Sequence, residues 1–139
     1  MENRPPELIK LPLVLKERML AHALAEPEVE VCGLAGGSDN LVTSIYPVIN
    51  IAEDPGHRFL MGPEAQIESM RRIRETGEEM IGIYHSHPDS AAEPSAIDLE
   101  MAAYPDLFYF IISLQAREPQ LLCFFYDGRA FSKTGITLV

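Results

Sequence analysis

His85 and His87 stand two residues apart at the end of an apolar run formed by Met80, Ile81, Ile83 and Tyr84. If that run is a strand, residues two apart face the same side, so both imidazoles point into one space. Pro88 follows, and because proline cannot donate to a ladder it ends the strand. Ser95 comes after a spacer of seven residues, and Asp98 lies three further on. The phrase Pro94-Ser95-Ala96-Ile97-Asp98 reads as a helix start, with Asp98 on the first turn, able to lean back toward the histidines. Two neutral imidazoles, a carboxylate and one open position form a ligand set suited to a catalytic zinc, which keeps a site for water.

Each part has a plainer reading when taken alone. A surface histidine needs no ligand, and Ser95 with Asp98 resembles a capping box in which Asp replaces the usual Glu. The joint spacing is hard to obtain from packing, and it favours the metal. A structural zinc would be closed by four protein ligands, often thiolates. Neither Cys32 nor Cys123 has a Cys-x-x-Cys neighbour.

His85-Ser86-His87-Pro88, the spacer and Ser95-x-x-Asp98 resemble the JAMM motif of the JAB1/MPN metalloprotease family. Glu30-Val31-Cys32-Gly33-Leu34 is similar to the upstream Glu element of that family. The likeness runs from the first helix to about Tyr126 and is strongest to compact bacterial and archaeal members. It implies a single JAB1/MPN domain over residues 1–139. The implied fold is an α/β sandwich like that of cytidine deaminases, a mixed β-sheet flanked by helices. One Zn2+ would be held by His85, His87 and Asp98, with Glu30 as the base and the Ser95 hydroxyl as donor to the oxyanion. The implied substrate is the amide after the C-terminal Gly-Gly tail of a ubiquitin-like or sulfur-carrier protein. Glycines suit a narrow groove, because their backbone approaches with no side chain in the way. Strand addition along 41–49 is a candidate means of holding that tail. The alternative is a non-catalytic MPN scaffold that binds a ubiquitin-like protein; the intact set of five polar residues argues against it. A DNA-repair relative with similar phrases fits less well, given the acidic charge and the Glu30 element.

A formal net charge of −10 on 139 residues speaks against nucleic acid or an anionic membrane as partner. The longest apolar run, Leu107 to Leu114, is too short for a membrane helix, and no signal peptide is recognisable, so the expected location is cytoplasmic. Cys32 and Cys123 both lie in apolar runs and read as buried free thiols.

The elements that must position the motif read as follows. Residues 1–12 form an extended lead-in, and apolar residues at Leu15, Met19, Leu20, Ala23 and Leu24 mark a helix that stops at Glu26-Pro27, with His22 on its surface. A strand over 29–35 carries Glu30 and closes at Gly36-Gly37. A second strand over 41–49 follows a Ser-Asp-Asn turn, and Pro47 makes it an edge or a bulge. The connector 50–61 turns at Asp54-Pro55-Gly56, and the resemblance sets it beside the active-site groove; His57 within it reads as solvated. A helix opens at Gly62-Pro63 with Glu64 and Glu68 early, Arg71, Arg72 and Arg74 late, and ends at Gly77. The helix from Ser95 ends at Tyr104-Pro105, and strands over 107–114 and 120–126 lead to a hairpin at Asp127-Gly128.

Overall fold

The computed structural model describes residues 8–139. The chain runs β1 (Leu8–Leu11), α1 (Leu13–Ala25), β2 (Cys32–Ser38), β3 (Leu41–Val48), α2 (Pro63–Glu75), β4 (Glu79–His87), α3 (Ala96–Met101), β5 (Leu107–Ser113), β6 (Gln120–Tyr126) and β7 (Phe131–Leu138). The strands form one mixed sheet in the order β1-β3-β2-β4-β5-β6-β7, and β1 closes it into a barrel by pairing in parallel with β7. The β4–β5 pair is also parallel, with His85 beside Ile111 and His87 beside Ser113.

Period-two alternation divides the strands between two cores. Val31, Ala35, Tyr84, Phe110 and Ile112 pack with Ile9 and Leu11 of β1 and with Leu15, Met19 and Ala23 of α1. Their neighbours Cys32, Leu34, Ile83 and Tyr109 pack with Ile73 of α2. Helices therefore lie on both faces of a mixed sheet, as expected, and β4 turns Ile83, His85 and His87 toward the α2 side.

The main departure from the sequence reading is at the start. Residues 1–7 of the anticipated lead-in lie outside the described residues, and Leu8–Leu11 is a strand. Its four residues alternate exposed and buried, with Ile9 and Leu11 wholly shielded. They anchor β1 between β7 and the first residue of β3 (Lys10 beside Leu41). Beyond Leu41 the outer side of β3 has no strand partner among the described residues, and Pro47 sits in that open half, where its missing N–H costs nothing.

Turns follow the residues that favour them. Asp39 and Asn40 both take positive φ (52° and 59°), closing the β2–β3 hairpin in the left-handed conformation that Asp and Asn tolerate best. Gly77, at φ 80°, ends α2. α3 is shorter than expected and stops at Met101, because Ala102 turns extended and Tyr104 swings onto α2, accepting a hydrogen bond from Gln66 Nε2 at 3.2 Å. No helix among the described residues is long and apolar enough to cross a membrane.

Candidate metal centre

Glu30, His85, His87 and Asp98 come together so that one ligand atom from each lies within 4.8 Å of the others, and all four residues are buried. His85 Nε2 and His87 Nε2 are 3.1 Å apart and lie 3.2 and 3.1 Å from Asp98 Oδ2. Tetrahedral ligands at zinc distances of roughly 2.0–2.1 Å would sit about 3.3 Å from one another, so the three atoms have the mutual spacing of three corners of such a site.

The local sequence explains each placement. His85 and His87 share a face of β4 by alternation, and Ser86 between them points to the opposite face. There Ser86 Oγ accepts the Val31 N–H (2.9 Å) and donates to the Val29 carbonyl (3.3 Å), tying the residues on either side of Glu30 to β4. His87 Nδ1 lies 2.7 Å from the Ala91 carbonyl; donating its proton there leaves Nε2 free to offer a lone pair. Phe59 stacks on the His85 ring, with centroids 4.6 Å apart.

Asp98 holds two posts. Ser95 is the N-cap of α3, its Oγ accepting the Asp98 N–H, while Asp98 Oδ2 accepts the Ser95 N–H, each at 2.9 Å. The capping box and the approach to the histidines, alternatives at the level of sequence, coexist on one carboxylate. The exposed Ser95 hydroxyl accepts in this box, so its own proton is left to donate.

Glu30 precedes β2, which begins at Cys32 and not at 29. Its main chain is held by the connector instead: the Glu30 N–H donates to the Pro55 carbonyl at 2.7 Å, and its carbonyl accepts from Asn50 Nδ2 at 2.9 Å. Burial raises the Glu30 carboxyl to about 7, against the pull of His87. Burial also lowers His85. In His87 the burial effect is outweighed by the hydrogen bonds to Asp98 and Ala91, and its pKa rises. Burial would raise Asp98 as well, but the hydrogen bonds from both histidines hold it well below the usual carboxylate range.

Two buried side-chain atoms have no hydrogen-bond partner among the described residues, Glu30 Oε1 and His85 Nδ1, and both belong to this cluster. An orphaned buried polar atom costs about 1–3 kcal/mol, so the persistence of Glu30 Oε1 asks for a role, while His85 Nδ1 is the other ring nitrogen from the Nε2 that faces Asp98. Two imidazole lone pairs and a carboxylate oxygen aimed at one point are satisfied by a single shared cation. The residues fit a metal.

An apolar pocket of about 200 Å³ adjoins His85 and Asp98, walled by Phe59, Leu60 and Met61 of the connector, by Met101 and by Tyr104. Other candidates lie elsewhere. His57 is exposed and bonded to Asp54. His22 is half-buried, not a free surface residue, with Nδ1 2.7 Å from the Tyr84 hydroxyl. Arg71 is engaged by Glu68 and Glu75 on the surface of α2. Cys32 and Cys123 are free and buried; burial pushes the Cys32 thiol up to about 12, which disfavours its thiolate. The roles of Ser86, Asn50 and Phe59 escaped the sequence reading. Only Ser86 gave a signal, as a polar residue alternating with two inward histidines on an otherwise apolar strand.

The profile described as prokaryotic homologs of the JAB domain matches residues 12–124. The chain is 39% identical over 108 residues to a desampylase of Haloferax volcanii, covering 73% of this chain and 78% of that protein. It is 36% identical over 108 residues to a CysO-cysteine peptidase of Mycobacterium tuberculosis, covering 76% and 71%. A solution structure of a Desulfitobacterium hafniense protein superposes with a TM-score of 0.83 at 36% identity, covering 94% of this chain and 92% of that one.

Proposed function

The chain belongs to the family of prokaryotic JAB-domain proteins, and from that membership we propose that it is a zinc-dependent peptidase that hydrolyses the amide after the Gly-Gly tail of a ubiquitin-like or sulfur-carrier protein. The observation that carries this reading is the convergence of His85, His87 and Asp98 at 3.1–3.2 Å beside a buried, partly unpartnered carboxyl, Glu30. Two imidazoles and one carboxylate suit zinc better than the hard cations, which prefer oxygen donors throughout.

When bound, the ion would supply Lewis acidity, polarising the scissile carbonyl and making water in the site more acidic. The protein's own residues do the rest. Glu30, with its pKa raised by burial to about 7, is poised to take a proton from the attacking water and return it to the leaving amine. Its Oε1 is buried without a hydrogen-bond partner among the described residues, so it is free to accept that proton. The Ser95 O–H donates to the carbonyl oxygen as negative charge builds on it. Phe59 stacks on the His85 ring and limits its rotation. The pocket between the connector and α3 gives an extended glycine tail an apolar wall on both sides.

Strand addition is compatible with the topology. Val48 lies beside Cys32, and Cys32 beside His85, so the open side of β3 ends two strands from the cluster. A tail laid there would pass the connector on its way to the metal.

The deciding experiment loads the protein with zinc and offers a diglycine-tailed carrier joined to a peptide, with products read by mass spectrometry. Cleavage after the second glycine, abolished by chelation and restored by zinc, is the expected result. A zinc-free preparation that cleaves equally well, or a zinc-loaded one that never cleaves, would overturn it.

A further inference from the structure

Asn50 makes five side-chain hydrogen bonds, all to main chain. Its Nδ2 donates to the carbonyls of Glu30 (2.9 Å), Arg58 (3.0 Å) and, at longer range, Pro55 (3.4 Å). Its Oδ1 accepts the N–H groups of Ala52 (2.9 Å) and Leu60 (3.0 Å). Its backbone bridges to Met61, and the Ile51 N–H reaches the Leu60 carbonyl, so Asn50 also closes the neck of the connector.

We propose that Asn50 is a positioning residue that fixes the main chain of Glu30 to the substrate-facing connector, so that the proton carrier and the wall of the tail groove move as one body. The proposal rests on the reading of Glu30 as that carrier.

Glu30 lies ahead of β2, where no strand ladder holds it. Both of its main-chain polar groups are spent on the connector, the N–H on Pro55 and the carbonyl on Asn50. Val29 and Val31, on either side, are tied to Ser86 on β4. Glu30 is thus the one link in this segment that answers to the connector and not to the sheet. The same connector supplies Phe59, stacked on His85, and with Leu60 and Met61 it lines the apolar pocket. One amide holds all of this: its donor half faces Glu30, and its acceptor half gathers the two ends of the connector.

The two halves can be separated. Asn50→Asp keeps an acceptor for Ala52 and Leu60 but turns a carboxylate oxygen toward three carbonyls, breaking the tie to Glu30. Asn50→Ala removes both. In each variant, zinc content, thermal unfolding, amide exchange of the zinc-free protein, and kcat and KM on a diglycine-tailed coumarin amide are measured. For Asn50→Asp the expected result is a Glu30 amide exchanging faster by about tenfold or more, protected Ala52 and Leu60 amides, and kcat lowered by roughly tenfold to a hundredfold with KM within about threefold. For Asn50→Ala all three amides exchange faster and KM rises as well. The proposal is overturned if Asn50→Ala keeps kcat within about twofold of the parent, or if the Glu30 amide exchanges at the parental rate in both variants. Should neither variant fold, exchange in the parent decides. Glu30, Ala52 and Leu60 opening with a common free energy supports the proposal, and Glu30 opening separately refutes it. Glu30→Gln serves as control: if it retains full activity, the reading of Glu30 fails, while the exchange data on Asn50 still stand.

Discussion

At the scale of single residues, the cluster combines groups whose environments push them apart. Burial raises Glu30 to about 7, while the two histidines hold Asp98 ionised. The first is suited to moving a proton, the second to holding a cation. Glu30→Gln should keep the zinc and lose on the order of 10²–10⁴ in kcat, read by metal analysis alongside single-turnover kinetics. Loss of metal from this variant would make Glu30 a ligand instead. The raised pKa also has a stability signature in the metal-free protein. Below about 4.5 the carboxyl is protonated in both the folded and the unfolded chain; between 4.5 and 7 only the unfolded chain releases the proton. The contribution is therefore fully present in acid and lost as pH rises through 7, by on the order of 2–3 kcal/mol. Urea midpoints of the parent and Glu30→Gln at pH 5 and pH 8, with chelator present, should diverge in that direction. The grouping of His85, His87 and Asp98 was legible in the sequence because short-range periodicity fixes it. Asn50 was not, since its partners at Glu30 and Leu60 become neighbours only once the connector has folded back.

At the scale of elements, α3 owes its first turn to the capping box of Ser95 and Asp98. On the proposed reading of the site, Ser95→Ala removes the cap and the oxyanion donor together. The cap loss should cost about 1 kcal/mol, and the donor loss about 10²–10³ in kcat. Chemical denaturation and steady-state kinetics measure the two separately, and a kinetic loss below about threefold would leave Ser95 a cap alone. β2 depends on a close approach at Gly33, where an added Cβ would meet the Tyr84 ring at 2.3 Å and the Tyr46 carbonyl at 2.6 Å. Gly33→Ala should destabilise by about 1–3 kcal/mol, seen as a lowered denaturant midpoint. The helices and most strands were legible because their apolar spacing and breakers are local. The end of α3 was misjudged, because what stops it is the docking of Tyr104 on α2, a contact that no sequence window contains.

At the scale of the whole molecule, the barrel is closed by four residues that the sequence presents as a mere lead-in. β1 is short, and its partner in β7 is more than a hundred residues away, so neither periodicity nor a turn signal announces the pairing. Ile9 and Leu11 complete the core around α1, and Ile9→Ala should cost about 2–5 kcal/mol in a denaturant titration. Because β4 lies on the far side of the ring from β1, that variant should retain its zinc stoichiometry. Asp98 Oδ2, finally, accepts the Ser95 N–H while facing both imidazoles. Electron density drawn from that oxygen by an arriving ion is withdrawn from the amide too. The proton resonance of Ser95 should therefore move during a zinc titration with no substrate added, a spectroscopic gauge of metal loading that the protein carries in its own backbone.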